Sequence, residues 1–236
     1  MSNGDAEPTV DLGRNLTHGM LDTLGKAIVV GRYEARRFPT EAEIAKAHGV
    51  SRSVTREAVK MLTAKGLVSA RPRQGTVVQP SANWNLFDPD VLRWLLERKV
   101  SVELLRQFNE LRVAIEPEAA ALAARFHEAD DLKAIRDGLD QMREAERGHG
   151  NVLDADIAFH VAVLRASKNP FYAQFQTMVA TALRTSIRYT NRIKGRSANI
   201  GDHAAVADAI EARDVEGART AMRRIIGDVL DLIATA

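Results

Sequence analysis

The chain has 236 residues, 45% of them hydrophobic and 27% charged, which is enough apolar material for one sizeable core and a smaller second one. It has no cysteine, so disulfides, iron–sulfur clusters and thiolate zinc sites are excluded, and any metal has to be held by nitrogen and oxygen. The net charge of +2 says little until its distribution along the chain is read.

Residues 1–16 are polar and without pattern, which predicts a mobile tail. The opening "MSNGDAEPTVDLG" has neither the basic start nor the apolar run of a secretion signal, and no apolar stretch approaches the roughly 20 residues that span a bilayer. A cytoplasmic protein with no membrane partner is expected. From Thr17 to Gly31, Met20, Leu21, Leu24 and Ile28 repeat at a helical period. In "PTEAEIAKAHG", Thr40 and Glu43 form a T-x-x-E capping box and Gly49 marks a left-handed stop, which predicts a helix of about two turns. In "VSRSVTREAVKMLTAKG", Ser51 is the expected N-cap, Val54, Ala58, Val59, Met61 and Leu62 the core face, and Gly66 the terminator. "LVSARPRQGTVVQP" then reads as a hairpin around a Pro- and Gly-containing turn. Residues 17–80 therefore predict a winged helix-turn-helix with a small β-hairpin wing.

The stretch "SANWNLFDPD", residues 81–90, is turn-rich and reads as a linker. Residues 91–236 carry almost no strand signal. Helical patterns cover approximately 90–98, 101–127, 130–147, 152–167, 170–193, 198–212 and 214–233, with Pro117 expected to kink the second of them near Val113–Glu116. The fold class is thus mainly α, with the winged helix-turn-helix followed by an all-α bundle.

Between Val50 and Val77 the basic residues are Arg52, Arg56, Lys60, Lys65, Arg71 and Arg73, and Glu57 is the only acid. Arg52, Arg56 and Lys60 recur every four residues and so share one stripe opposite the apolar face. Arginines in the first turns of such a helix suit major-groove readout, where a guanidinium can bond guanine O6 and N7 together. Ser51, Ser53 and Thr55 add short hydroxyls, and Arg71, Arg73 and Gln74 before Gly75 place polar groups at the hairpin tip. A basic amphipathic helix alone is often just a solvated face, but the capped helix before it and the basic wing after it agree on double-stranded DNA as the partner.

In the second half, Asp156 and His160 lie four apart in "DADIAFHVAVL". On residue chemistry they are either a metal-ligand pair or a hydrogen-bonded core histidine with an acidic neighbour. Arg112 and Glu116, also four apart, are either an intrahelical surface pair or a carboxylate-binding edge of the bundle. Arg184 and Arg188 either line the same interior or face solvent.

The segment "FPTEAEIAKAHGVSRSVTREAVKMLTAKGLV" followed by "RQGTVV" resembles the DNA-binding domain of GntR-family transcription regulators. "ELRVAIEPEAA", "DADIAFHVAVLRASKNP" and "DHAAVADAIEARDVEGARTAM" occur in the order and spacing of the FCD domain of the FadR subfamily, and "NWNLFDPDVLRWLLE" is similar to sugar-acid (galactonate-type) operon repressors within it. The resemblance implies DNA contacts at Arg52, Ser53, Arg56, Gln74 and Gly75, to which the hairpin reading adds Arg73. It also implies a homodimer on an inverted-repeat operator. Many members carry a basic residue where this chain has Ala42. The resemblance further implies a divalent metal ion, with zinc a natural candidate, on Asp156, His160 and His203. A further family histidine is replaced here by Ile225, which either opens coordination positions to an effector or leaves a metal-free polar pocket in which the same residues hydrogen-bond the effector directly.

Arg112 and Glu116 match effector-pocket positions, so the expected effector site is Arg112, Glu116, Asp156, His160, His203 and Arg188. No catalytic residues are assigned. The expected function is a sequence-specific repressor of a sugar-acid or related carboxylate catabolic operon, relieved by a small carboxylate effector. The alternatives are a metal-dependent hydrolytic enzyme using Asp156, His160 and His203, or a regulator that responds to acyl-CoA.

Overall fold

The structure, a computed structural model, describes residues 12–34, 37–98, 102–184 and 199–235. The chain divides into two compact units, Met1–Arg98 and Lys99–Ala236.

The first unit begins with α1 (Leu12–Val29). This helix starts inside the expected tail of residues 1–16, because once a helix is nucleated each further residue adds a hydrogen bond for little extra ordering. Helices α2 (Glu41–His48) and α3 (Arg52–Ala64) follow as the helix-turn-helix. The capping box forms as read, with the Thr40 N–H donating to Glu43 Oε2 at 2.7 Å and the Glu43 N–H donating to Thr40 Oγ1 at 3.3 Å. Gly49 takes φ 65°, and the next N–H, of Val50, returns to the Ala45 carbonyl at 3.1 Å, which turns the chain sharply into α3. Ser51 caps α3 by accepting from the Val54 N–H at 3.2 Å.

Strands β1 (Val68–Arg71) and β2 (Gly75–Val78) pair antiparallel, from Val68 opposite Val78 to Arg71 opposite Gly75. The Gln74 N–H donates to the Arg71 carbonyl, closing a turn with Pro72 second and Arg73, at φ 63°, third.

A 3-10 turn (Ser81–Asn83) and α4 (Pro89–Arg98) complete this unit. Residues 81–90 are packed rather than a free linker. Gly66 (φ 77°) lets the Asn83 carbonyl approach so closely that a Cβ there would lie 2.3 Å from its oxygen. The Asn85 N–H donates to the Lys65 carbonyl at 3.0 Å. Lys65 Nζ bonds Asp88 at 2.8 Å and Asp90 at 2.9 Å. Val91 and Trp94 of α4 are buried in one core with Leu21, Leu24, Ile44 and Leu62. Trp94 Nε1 donates to Asp22 Oδ1 at 2.7 Å, and Arg93 Nη2 reaches the same oxygen at 2.7 Å. The expected second domain starting at residue 91 is corrected accordingly, because α4 buries its apolar face in the first unit and the division falls after Arg98.

The second unit is a helical bundle of α5 (Val102–Phe126), α6 (Ala129–Glu146), α7 (Val152–Ala166), α8 (Pro170–Gln174), α9 (residues 176–184), α10 (Ile200–Glu211) and α11 (Val215–Ala234). The pattern read as one helix over 170–193 breaks at Phe175, and its last part lies outside the described residues. Helix α5 packs against α7, α10 and α11. Its buried Ala119, Ala120, Ala123 and Ala124 have no bulk to hold these neighbours away. It runs through Pro117 as one continuous helix. The core is completed by Ile135, Leu139, Phe159, Val206, Ile210, Met222 and Ile226, and burial of each large side chain is worth about 1.5–3 kcal/mol. Ile225 belongs to this core.

Candidate functional site

In the first unit, α3 buries Thr55, Ala58, Val59 and Leu62 and exposes Arg52, Ser53, Arg56 and Lys60. Thr55 is turned inward, its hydroxyl donating to the Ser51 carbonyl at 3.3 Å, so it does not join the outward hydroxyls. Lys65 leaves the basic surface too, since its side chain is 12% exposed and is neutralised by Asp88 and Asp90. Arg71, Arg73, Gln74 and Gly75 form an exposed wing tip. Arg52, Arg56, Arg71 and Arg73 make no ion pair among the described residues, so their charge is available to a polyanion.

The start of α2, the start of α3 and the wing turn enclose a groove of about 360 Å³ lined by Arg37, Thr40, Ala42, Arg52, Gln74 and Gly75, among others. Sequence reading missed Arg37, which Glu43 holds by two bonds of 2.9 and 3.0 Å. It stands in the groove that also contains Ala42, where a basic residue is missing.

In the second unit, α5, α7 and α10 bring six polar residues into the core. Asp156 and His160 stand one turn apart on α7, and His203 stands in the first turn of α10. Arg112, Glu116 and Asn109 come from α5. All six are buried, Arg112 at 3% and Glu116 at 1% exposure, which rules out the surface-pair reading of these two. Arg112 Nε donates to Glu116 Oε1 at 2.6 Å and Nη2 to Oε2 at 3.2 Å. Arg112 Nη1 donates to Asn109 Oδ1 at 3.1 Å. Nothing in the sequence pattern marked Asn109. Arg184 is exposed and paired with Asp154 at 2.6 Å, and Arg188 lies outside the described residues.

The histidine tautomers follow from their partners. His160 Nδ1 lies 2.6 Å from Glu116 Oε2, and His203 Nδ1 lies 2.8 Å from the Asn199 carbonyl oxygen. A carboxylate and a carbonyl only accept, so each ring donates from Nδ1. In the neutral rings the lone pair then sits on Nε2, the atom that faces Asp156. His160 Nε2 is 3.9 Å from Asp156 Oδ2 and His203 Nε2 is 3.1 Å from Oδ1. His203 Nε2 is close to that oxygen without the alignment of a hydrogen bond, which leaves it a buried nitrogen with no hydrogen-bond partner.

The three donor atoms lie within 4.8 Å of one another, near the ~4 Å that separates opposite ligands of a single ion bound at ~2.1 Å. Two imidazole nitrogens and a carboxylate oxygen, with both Nδ1–H groups anchored, form a donor set suited to a divalent transition metal. An ion held by these three residues would still have room for water or a further ligand.

Burial opposes charge on Glu116, but Arg112 and His160 outweigh it and hold the carboxyl at about 2. Asp156 is likewise lowered against its burial, chiefly by His203. Burial pulls His203 down, and Asp156 more than reverses it, so the ring holds its proton to higher pH than usual.

Residues 20–78 match the family described as bacterial regulatory proteins, gntR family, and residues 107–228 match the FCD domain. The chain is 33% identical over 217 residues to the galactonate operon transcriptional repressor of Escherichia coli strain K12, covering 90% of this chain and 94% of that protein. It is 31% identical over 216 residues to the uncharacterized HTH-type transcriptional regulator YieP of the same organism, covering 90% and 93%. The solved structure of E. coli McbR/YncC is similar in fold, with a TM-score of 0.54 at 19% identity over 93% of this chain and 97% of that one.

Proposed function

The chain belongs to the gntR family of bacterial regulatory proteins and carries an FCD domain behind its DNA-binding domain, and from that premise we propose that its hold on DNA is controlled by a small carboxylate bound together with a divalent metal in the second unit. It is a DNA-binding transcriptional regulator and not an enzyme. In this reading a homodimer presents two copies of α3 to an inverted repeat in cytoplasmic DNA. Arg52, Ser53 and Arg56 meet base edges and phosphates, and Arg73, Gln74 and Gly75 of the wing meet the backbone.

The observation that carries the effector class is the charge balance of the buried cluster. With both imidazoles neutral, Arg112, Glu116 and Asp156 leave one net negative charge in the core, and with His203 protonated the cluster is neutral. A carboxylate added to either state would bury a negative charge without a counterion, which is strongly unfavourable. A divalent cation on Asp156, His160 and His203 reverses the sign and leaves one positive charge for a monoanion to neutralise. Arg112 is not free to hold the acid alone, because Glu116 already takes two of its bonds. The likeness to the galactonate operon repressor favours a sugar acid, whose α-hydroxyl and carboxylate would both be available to an ion held by Asp156, His160 and His203. A large acyl-CoA effector has no matching feature in this polar cluster. Hydrolytic chemistry lacks a free base, since Glu116 is tied to both Arg112 and His160.

The test is release of the protein from a labelled duplex carrying its own upstream region, titrated with sugar acids at fixed salt. Binding that weakens steeply with salt is expected, as is release by a sugar acid from the zinc-loaded protein only. Equal release from chelator-stripped protein refutes the metal-linked reading, and no sequence preference on the duplex refutes the operator reading.

A further inference from the structure

The hydrogen bonds behind His160 include a directed chain along α5. Asn109 Nδ2 donates to the Leu105 carbonyl at 2.8 Å, which turns the amide oxygen toward Arg112. Arg112 donates to that oxygen and to both oxygens of Glu116, and its Nη2 also lies 3.4 Å from each ring nitrogen of His160. Glu116 Oε2, held in this way, receives the His160 Nδ1–H at 2.6 Å. Residues 105, 109, 112 and 116 recur at three- and four-residue steps, so they stack along one face of α5. The two histidines therefore differ in support. His203 leans on a main-chain carbonyl, whereas His160 leans on a charged side chain with its own supports.

We propose that Glu116, clamped by Arg112 and Asn109, is a positioning residue that fixes His160 with its proton on Nδ1 and thereby sets the affinity of Asp156, His160 and His203 for a divalent cation. The inference rests on the metal reading of that site. An acceptor-only group beside Nδ1 permits one neutral tautomer, and it is the one that keeps the lone pair on Nε2, which lies 3.9 Å from Asp156 Oδ2 and 3.4 Å from Arg112 Nη2. A carboxylate in this place also makes the imidazole a stronger donor to a metal.

Glu116→Gln separates these roles with almost no change in shape. Arg112 then draws the single amide oxygen, and the amide nitrogen is left to donate to His160 Nδ1. The ring proton moves to Nε2, where it blocks the cation. The paired change Arg112→Met with Glu116→Leu removes the support without leaving a lone buried charge.

The experiment uses full-length, metal-stripped protein. Zinc affinity is read by competition with a chromophoric chelator, and the His160 tautomer by ring-nitrogen NMR of histidine-labelled protein in the absence of metal. Wild type is expected to show the Nδ1–H form. Glu116→Gln is expected to lose that form and to bind zinc roughly 10- to 100-fold more weakly, and the paired variant to weaken binding in the same direction. Retention of the Nδ1–H form and of wild-type zinc affinity in both variants overturns the inference. A wild-type protein that takes up no zinc, with its tautomer as described, overturns the metal reading instead and with it the role of Glu116 in affinity.

Discussion

Replacing Gly25 with alanine tests whether α4 belongs to the DNA-binding unit. A Cβ at Gly25 would lie 2.3 Å from two atoms of the Trp94 ring and 2.6 Å from a third. Carbon atoms in contact sit about 3.5–4.0 Å apart, so the ring or the helix has to retreat by more than about 1 Å. Trp94 is 1% exposed and its Nε1 is tied to Asp22, so there is no free direction for it to move. Alanine gains about 1 kcal/mol over glycine inside a helix. Against this, repacking a filled core costs about 1–3 kcal/mol, and tilting the indole off the Asp22 carboxylate removes a charged hydrogen bond worth about 1.5–3 kcal/mol. The expected outcome is a net destabilisation of about 1.5–5 kcal/mol. Urea unfolding followed by tryptophan fluorescence reads this directly, because Trp84 and Trp94, the only tryptophans, both lie in the first unit. In a Trp94→Phe background the smaller ring makes room, so the cost of the alanine shrinks. If Gly25→Ala instead stabilises this unit by the helix-propensity gain and leaves the fluorescence unchanged, the packing of α4 on α1 is refuted.

Gly138 on α6 faces the backbone of α7, where an added Cβ would lie 3.0 Å from Phe159 Cα and 3.1 Å from its nitrogen. Gly138→Ala is therefore expected to push α7 by a few tenths of an ångström next to His160 and to weaken zinc binding in chelator competition, and unchanged affinity would count against rigid support of the site by α6. Asp22, held at about 2 against its burial by Trp94, Arg93 and Lys26, is ionised in the folded state well below its ordinary value of 3.8. Its stabilisation is therefore complete above about pH 4 and lost as pH falls toward 2, and with the side chain 34% exposed it amounts to on the order of 1 kcal/mol. The stability gap between wild type and Asp22→Asn should close over that interval in acid titration of the unfolding midpoint. On DNA, Arg56→Ala is expected to relax base preference at one position, whereas Arg73→Gln should weaken all sequences alike and reduce the salt slope by about one, a contrast readable by anisotropy on matched and mismatched duplexes.

The parts of the fold that were legible in the sequence are those whose causes are local. The Thr40–Glu43 box, the left-handed Gly49 and the Arg71–Gln74 turn are each decided within a few residues, and each forms as read. The place of α4 was not legible, because its apolar face matches a partner some 72 residues earlier, where Asp22 and Gly25 receive Trp94. Lys65 illustrates the same limit for charge. It reads as one more cation of a basic surface, and only Asp88 and Asp90, more than 20 residues on, reveal that it is neutralised. In the second unit, the i, i+4 pairs Asp156–His160 and Arg112–Glu116 were visible as pairs. Their meeting was not, since His160 and Glu116 are 44 positions apart, and Asn109 carries no signal of its own.

That meeting also gives a way to separate a structural role for the cluster from a functional one. A buried ion pair is a weak source of stability, because desolvation of both charges offsets their attraction. Removing one member is different. Glu116→Leu alone leaves the Arg112 charge in the core, at 3% exposure, and is expected to cost about 3–5 kcal/mol. Replacing Arg112 by Met together with Glu116 by Leu removes both charges and fills the space with apolar atoms, for which the expectation runs from neutral to about 1–4 kcal/mol of stabilisation, less the ~1–3 kcal/mol of a His160 N–H left without its acceptor. The paired variant should therefore unfold near the wild-type urea concentration while losing zinc affinity and the metal-dependent response on DNA. A core that needed Arg112 and Glu116 for its own stability would make the paired variant as unstable as the single one. That result would assign the cluster to the fold rather than to the effector.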